Sequence, residues 1–419
     1  MNEAPLAVEG AVGLDGQPVG LVAEGGRIVE LGPGVKGPEG ARVLDGAGRL
    51  LIPPLVNGHT HAAMTLFRGR GGDLPLMRWL EELVWPIEQR LEPEDVYWGA
   101  RLACLEMARN GVSTFWDMYW HEPEVARAVA DSGLRAVVGP VVLGLPGGGG
   151  TGSGEALAGE LDLIESFGPR VHAAVAPHAI YTVSTERLEE LGELARERDL
   201  PIHIHLSETG GEVEDCLSEH GLRPAHYLDR LGLLGPDTLL AHGVWLDRDE
   251  LELIAERGST VVTNPVANQK LGVGRTFPWV EAREAGVPMG LGTDGPGSND
   301  SLDPLSDLKA FALAQRGLTD QGAGPPAGEA FRIATGQASG LLVGPDPLSV
   351  GRPADFALID LDSPQMALGD PLPNLVYTAT GEAVETLVVD GRVVSERGRT
   401  DEDREVIERA REVTRRLFA

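Results

Sequence analysis

Lysine, cysteine and long apolar runs are all scarce in this chain of 419 residues. Its two cysteines, Cys104 and Cys216, cannot form the disulfide framework of a small secreted protein and fit a reducing compartment. No apolar run approaches the roughly 20 residues that a transmembrane helix needs. Acidic residues outnumber basic ones by 64 to 35, and a net charge of -29 disfavours nucleic acid and anionic membranes as partners. Because the N-terminus lacks the basic flank of a secretory signal, we expect a cytoplasmic protein.

Both ends of the chain have the short apolar runs and tight turns of a small β domain. Near the N-terminus, Gly25-Gly26 separates two such runs and permits the positive φ angles of a hairpin. A similar pattern returns before the C-terminus, where a charged segment with apolar residues at helical spacing follows it. We therefore predict a discontinuous β-sandwich formed by residues 1–53 and 348–419, closed by a C-terminal helix.

The segment between these ends, residues 54–347, alternates predicted strands with amphipathic helices. The predicted strands are Leu51–Asn57, Val112–Trp116, Ala136–Leu143, Val171–Ala176, Pro201–Leu206, Thr238–Ala241, Thr260–Asn264 and Pro288–Gly292. This α/β pattern predicts a (β/α)₈ barrel of the TIM type, whose chemistry lies at the carboxyl ends of the strands. A doubly wound open sheet is the alternative, but no Gly-x-Gly-x-x-Gly turn follows the first strand.

Histidines and an aspartate follow several of these strands. His59 and His61 end the first strand, and because side chains alternate along a strand, both imidazoles point to one side. His205 lies at the end of the fifth strand, and Asp294 follows the eighth. These four residues form a mixed nitrogen and oxygen set that suits zinc or iron(II) and leaves a position for water. His203 lies one layer deeper than His205, and we interpret it as a core residue.

The end of the fourth strand decides how many metal ions to expect. Barrel hydrolases that bind two metals through a carboxylated lysine need that lysine there, and Lys36, Lys270 and Lys309 all lie elsewhere. His178 occupies the position instead, and His242 follows the sixth strand. We therefore predict one divalent metal per chain, zinc first and iron as the alternative.

The motifs around these residues resemble the amidohydrolase superfamily, and more narrowly its S-adenosylhomocysteine / 5'-methylthioadenosine deaminase family. The resemblance covers nearly the whole chain, and the blocks that carry it are Val56–Gly69, Asp73–Leu80, Trp85–Glu88, Ala176–His178, His203–Thr209, Asn264–Leu271 and Leu291–Gly295. It implies that the four proposed ligands hold the metal and that Glu208 faces the heterocycle. It also implies that Trp79, Glu88 and His178 contact the substrate, an adenine nucleoside such as 5'-methylthioadenosine, adenosine or S-adenosylhomocysteine.

Hydrolytic deamination explains these residue types. Water must add to the ring carbon that bears the amino group, and a bound metal lowers the pKa of its water from about 15.7 to near 7. Asp294 can take the water's proton and pass it to the departing ammonia. Glu208 must be protonated to donate to a ring nitrogen, which burial favours. His242 can stabilise the attacking oxygen.

Two other functions stay open. The same site could serve a triazine or other purine aminohydrolase or chlorohydrolase, or the chain could be an inactive scaffold, although a scaffold would be expected to lose metal ligands. We expect a small heterocyclic substrate and no nucleic-acid or membrane partner, and the sequence leaves homo-oligomerisation open.

In the resembling family, arginines after the third strand are associated with the carboxylate of S-adenosylhomocysteine. Here Gly139–Gly154 contains no basic residue, so we expect a preference for substrates without that carboxylate, unless Arg68 or Arg70 replaces the missing arginines.

Overall fold

The computed structural model describes residues 4–70, 74, 76–144, 154–318, 324–397 and 403–419. Within these residues the strands are β1 (Leu6–Val12), β2 (Pro18–Glu24), β3 (Arg27–Gly32), β4 (Arg42–Asp45), β5 (Arg49–Ile52), β6 (Leu55–Thr60), β7 (Val112–Tyr119), β8 (Arg135–Val142), β9 (Val171–Ala173), β10 (Ala176–Pro177), β11 (Ile202–Leu206), β12 (Thr238–His242), β13 (Thr260–Thr263), β14 (Met289–Leu291), β15 (Phe356–Asp360), β16 (Val384–Val389) and β17 (Arg392–Glu396).

The described helices connect these strands. They are α1 (Leu76–Trp79), α2 (Trp85–Glu88), α3 (Pro93–Arg109), α4 (Glu122–Ser132), α5 (Gly154–Glu165), α6 (Thr185–Arg198), α7 (Gly210–His220), α8 (Pro224–Arg230), α9 (Arg248–Arg257), α10 (Pro265–Lys270), α11 (Trp279–Ala285), α12 (Pro304–Gly317), α13 (Ala327–Ala334), α14 (Pro371–Tyr377) and α15 (Asp403–Leu417). A π-helical turn, Leu80–Val84, joins α1 to α2, and Ala62–Phe67 and Gly381–Ala383 are 3₁₀ turns. None of the described helices is long and apolar enough to cross a membrane.

Strands from the two ends of the chain form one sheet. Its order is β17-β16-β15-β5-β1-β2-β3, with β4 paired to β1, so the C-terminal strand β15 lies directly against the N-terminal strand β5. Gly25 and Gly26 make the turn between β2 and β3, and both have positive φ angles, 56° and 78°. The predicted β domain from both chain ends is therefore confirmed, while its boundaries at 53/54 and 347/348 stay a prediction.

The parallel strands β6 to β14 form the (β/α)₈ barrel. They run as β6-β7-β8 with β9 and β10 both beside β8, and then as β11-β12-β13-β14. An isolated parallel bridge between Ala179 and His205 joins these two groups of strands. At the other junction, the main-chain N–H of Asp294 donates to the carbonyl of His59 at 2.9 Å. The predicted barrel is confirmed, and the doubly wound open sheet is excluded.

Two predicted strands are wrong, because each is divided in the structure: Val171–Ala176 is split into β9, which ends at Ala173, and β10, which begins at Ala176, and the first strand is split as well. The apolar run Leu51–Asn57 is not a single strand, because Pro53-Pro54 lacks the N–H groups that a ladder requires. Strand β5 ends at Ile52 in the β domain, and β6 begins at Leu55 in the barrel. The two prolines thus lie where the chain passes from one sheet to the other.

Candidate active site

The carboxyl ends of the barrel strands surround a cavity. Its walls are mainly apolar and aromatic, with side chains that include Leu76, Leu80, Trp85, Trp120, Leu143 and Tyr181. All but one of the sequence-predicted site residues line it: His61, Trp79, Glu88, His178, His205, Glu208, His242 and Asp294. The exception, His59, lies fully buried beneath the cavity floor.

The four predicted metal ligands lie together at this floor. Asp294 Oδ1 is 3.4 Å from His59 Nε2 and 3.2 Å from His61 Nε2. His205 Nε2 is 3.3 Å from His61 Nε2. Ligand atoms of His59, His61 and Asp294 all lie within 4.8 Å of one another, and the same holds for His59, His205 and His242. The spacing is that of groups arranged around one point.

Hydrogen bonds on the far side of each imidazole fix its orientation. His61 Nδ1 donates to a main-chain carbonyl at 2.5 Å, and His205 Nδ1 donates to another at 2.7 Å. His59 Nδ1 lies 2.8 Å from His203 Nε2, so one of these two nitrogens donates to the other. Such outer hydrogen bonds leave the Nε2 lone pairs free for a metal.

These residues fit a divalent metal by their chemistry. Burial lowers the pKa of His59 to about 3 and that of His205 well below its usual value, so both imidazoles are neutral and can coordinate. His59 Nε2 is buried and has no hydrogen-bond partner, so this nitrogen is available to coordinate a metal. Burial acts to lower the pKa of His61, but its interaction with the Asp294 carboxylate outweighs burial and raises it to about 9. Imidazoles with a carboxylate are typical ligands of zinc.

Glu208 and His242 lie side by side next to these ligands. Glu208 Oε1 is 3.9 Å from His242 Nδ1, and that nitrogen also lies 2.8 Å from Asn268 Oδ1. Burial raises the pKa of Glu208, against the opposing effect of His242, which is the direction that the predicted role requires. His242 and Asp294 have positive φ angles of 75° and 62°, a conformation that is uncommon for residues with a side chain.

The other residues predicted to contact substrate also line the cavity. Trp79 ends α1 and Glu88 ends α2, and the wide π-helical turn between them lets both face the cavity. Burial raises the pKa of Glu88, while Trp120 and Tyr119 act to lower it. Burial also lowers the pKa of His178 to about 3, so this imidazole is neutral.

Several supporting residues were missed from the sequence. Asn268 holds His242, and Ser298 Oγ donates to Asp294 Oδ2 at 2.6 Å. Asn268 belongs to the block Asn264–Leu271, to which the resemblance assigned no role, and Ser298 follows Asp294 by four residues. His203 is a buried core residue as interpreted, but it also contacts a proposed ligand.

No lysine or arginine lines the cavity in the part of the chain that the structure describes. Arg68 pairs with Glu106 at 2.5 Å, and the guanidinium of Arg70 stacks on Phe418 at 3.7 Å, so neither reaches the cavity. The glycine-rich loop Gly147–Gly150 lies outside the described residues, but its sequence contains no basic residue either.

A (β/α)₈ barrel with imidazoles and a carboxylate gathered at its carboxyl rim defines a class, the metal-dependent barrel hydrolases. The model of the amidohydrolase family matches residues 50–394, and the chain belongs to this family. The predicted family is thereby confirmed.

Comparisons with known proteins agree with this membership. The chain is 43% identical over 362 residues to a protein of Methanoregula boonei named 5'-deoxyadenosine deaminase, covering 84% of this chain and 80% of that one. It is 42% identical over 384 residues to a 5-methylthioadenosine/S-adenosylhomocysteine deaminase of Syntrophobacter fumaroxidans, covering 90% and 87%. Among solved structures, an adenosine deaminase from Xanthomonas campestris with bound zinc superimposes with a TM-score of 0.91 at 30% identity, covering 99% and 98%. A zinc-bound atrazine chlorohydrolase from Arthrobacter aurescens has a TM-score of 0.88 at 23% identity, which shows a shared fold.

Proposed function

We propose that the protein is a metal-dependent hydrolase that deaminates adenine nucleosides and releases ammonia. The observation that carries the proposal is a buried carboxyl group with a raised pKa, Glu208, placed beside a set of metal-ligand side chains in an aromatic cavity. The names of the relatives, deaminases of 5'-deoxyadenosine, 5'-methylthioadenosine and S-adenosylhomocysteine, support the same reaction.

One zinc ion per chain, held by His59, His61, His205 and Asp294, is the proposed cofactor, with iron as the alternative. When bound, the metal supplies Lewis acidity, which makes a water molecule acidic enough to yield hydroxide near neutral pH. Zinc-bound structures of similar fold and the donor set described above support this assignment.

The chemical steps are assigned to three side chains, two of which transfer protons. Asp294 accepts a proton from the attacking water and later gives it to the leaving ammonia, while Ser298 holds its Oδ2 so that Oδ1 faces the imidazoles. Glu208 donates its proton to the ring nitrogen next to the reacting carbon, which removes the negative charge that would otherwise develop on the ring, and it regains a proton from the added hydroxyl group when the product carbonyl forms. His242, held by Asn268, stabilises the incoming oxygen.

Substrate binding is assigned to other side chains that line the same cavity. Trp79 and its aromatic neighbours provide flat apolar surfaces for an adenine ring. Glu88 can accept hydrogen bonds from sugar hydroxyl groups, and neutral His178 can bond to a ring nitrogen or a hydroxyl. Triazine hydrolysis is supported by a likeness of fold alone, at 23% identity, and is not favoured.

Ammonia release tests the proposal. Zinc-loaded protein should release ammonia from 5'-deoxyadenosine, 5'-methylthioadenosine or adenosine, and should release no chloride from atrazine. Glu208→Gln should keep its metal and lose about 10²–10⁴-fold in kcat. Glu189→Gln, an exposed change on α6, is the matched control and should retain full activity. Metal loss in Glu208→Gln with activity per bound metal retained would contradict the proposed role.

A further inference from the structure

Glu212 is a buried carboxylate that the reaction described above does not use. It is the third residue of α7, and only 5% of its surface is exposed. Its own N–H donates to Thr209, the residue that caps this helix, at 3.2 Å. It is absent from the described residues that line the cavity, so it is not placed to touch a substrate.

The Glu212 carboxylate instead holds the turn that carries Glu208. Its Oε1 accepts the main-chain N–H of Ser207 at 2.7 Å, and its Oε2 accepts that of Glu208 at 2.9 Å. Hydrogen bonds to an ionised acceptor are roughly twice as strong as neutral ones. Both oxygens of one buried side chain are therefore committed to two successive peptide groups.

This turn needs such support because its backbone is strained. Ser207 has a φ angle of 50°, in the left-handed region that residues with a side chain rarely occupy. The carbonyl of Ser207 accepts the N–H of Trp245 at 2.8 Å, so the same residue is anchored on both sides. The left-handed turn redirects the chain from β11 into α7, and Glu208 lies within it next to His242.

We propose that Glu212 is the positioning residue of the general acid: it fixes the Ser207–Glu208 turn and thereby aims the Glu208 carboxyl at the heterocycle. This inference rests on the proposed function, in which Glu208 donates a proton to the substrate ring. Removing Glu212 should therefore reduce proton donation rather than substrate binding or metal binding.

Glu212→Gln is the first test. The amide keeps the shape of the side chain, but its NH₂ group cannot accept a hydrogen bond from a main-chain N–H. Burial raises the pKa of Glu212 to about 7, so assays belong at about pH 8, where the wild-type group is ionised. We expect kcat to fall about 10–100-fold, with the KM for 5'-deoxyadenosine and the bound metal little changed. An unchanged kcat, or a loss confined to KM, would overturn the proposal.

Glu250→Gln is the matched control. Glu250 is also the third residue of its helix, α9, is fully buried, and accepts the main-chain N–H groups of Ala225 and Asp247 at 3.0 and 3.1 Å. Like Glu212, it accepts two main-chain N–H groups near the start of its helix, but it is not among the described residues that line the cavity. Glu250→Gln should lower the temperature of unfolding and leave kcat unchanged, and a kcat loss equal to that of Glu212→Gln would show that general destabilisation explains both.

A double-variant cycle separates positioning from stability. In the Glu208→Gln background the general acid is already absent, so Glu212→Gln should have little further effect on kcat. The same fold-loss in both backgrounds would contradict an action through Glu208. If Glu212→Gln alone folds poorly, adding Ser207→Gly relieves the strain, since glycine adopts a positive φ readily, and kcat should stay low while stability recovers.

A crystal structure of Glu212→Gln gives a readout that does not depend on activity. We expect the Ser207 backbone to leave the left-handed region and the Glu208 carboxyl to move away from its 3.9 Å separation from His242. If wild-type protein released no ammonia from any adenine nucleoside, the proposed function would fail, but this structure would still decide the role of Glu212. An unmoved Glu208 carboxyl would refute that role.

Discussion

Discrimination against a substrate carboxylate is a strong consequence of the cavity's composition. S-adenosylhomocysteine and 5'-methylthioadenosine share the adenosine group and differ in the 5' substituent, which in the former carries an ammonium and a carboxylate. Since these two charges cancel, the overall charge of the chain has little effect on the choice between the substrates. The choice depends on whether the carboxylate finds a local partner.

The structure offers no such cationic partner among its described residues, because the two nearest candidate arginines bond elsewhere. A charge-assisted hydrogen bond contributes roughly 1.5–3 kcal/mol. Since about 1.4 kcal/mol is tenfold, each missing bond lowers binding by about one to two decades. We therefore expect kcat/KM for 5'-methylthioadenosine or adenosine to exceed that for S-adenosylhomocysteine by at least about tenfold.

Steady-state ammonia release on the three nucleosides measures this ratio. Leu143→Arg places a guanidinium on the cavity wall and should shift the ratio about tenfold towards S-adenosylhomocysteine, whereas Leu143→Met, which adds no charge, should not. A clear preference of the wild-type protein for S-adenosylhomocysteine would refute the reasoning. In that case Arg68 and Arg70 would be the candidates for binding the substrate carboxylate.

Three further expectations follow from buried groups. Metal analysis should find about one equivalent of zinc or iron per chain, and His205→Ala should lose most of it. Two tightly bound metals per chain would contradict the proposed site. His203→Phe removes the partner of His59 Nδ1 and should weaken metal binding about 10–100-fold in a chelator competition. An unchanged metal affinity of this variant would contradict the role of His203. Burial next to Asp117 raises the pKa of Glu122 well above its usual value, so folding loses stability as pH rises above the unfolded-state pKa. Glu122→Gln should therefore raise the unfolding temperature more at about pH 8 than at about pH 5, and an equal shift at both would refute a buried ionisable pair.

The sequence predicted the barrel and the main site residues because both follow from local patterns. Alternating strands and helices specify the barrel, and parallel strands bring their carboxyl ends to one rim whatever the details of packing. A histidine or acid placed directly after a strand therefore reaches the cavity. His59 and His61 could be predicted in this way, since their shared direction depends only on the alternation of side chains along a strand.

The supporting contacts could not be predicted, because some join residues far apart in the chain and others depend on the local backbone conformation. His59 and His203 are separated by 144 positions, and only the closed barrel brings their ring nitrogens to 2.8 Å. Glu212 is close to Ser207 in sequence, but its role depends on the left-handed φ angle of Ser207, which the sequence does not predict. The strand break at Pro53-Pro54 was predictable in principle, because proline cannot donate to a ladder, but the apolar run around it outweighed that signal.

The central claim is that this chain replaces the amino group of an adenine nucleoside with an oxygen from water. Reaction in water enriched in heavy oxygen tests it most directly, with the zinc-loaded protein, 5'-deoxyadenosine and mass analysis of the product. The account predicts one labelled oxygen on the purine ring for each ammonia released, and almost none of either product in Glu208→Gln. Ammonia without label, label without ammonia, or neither from the fully metal-loaded wild-type protein would contradict it.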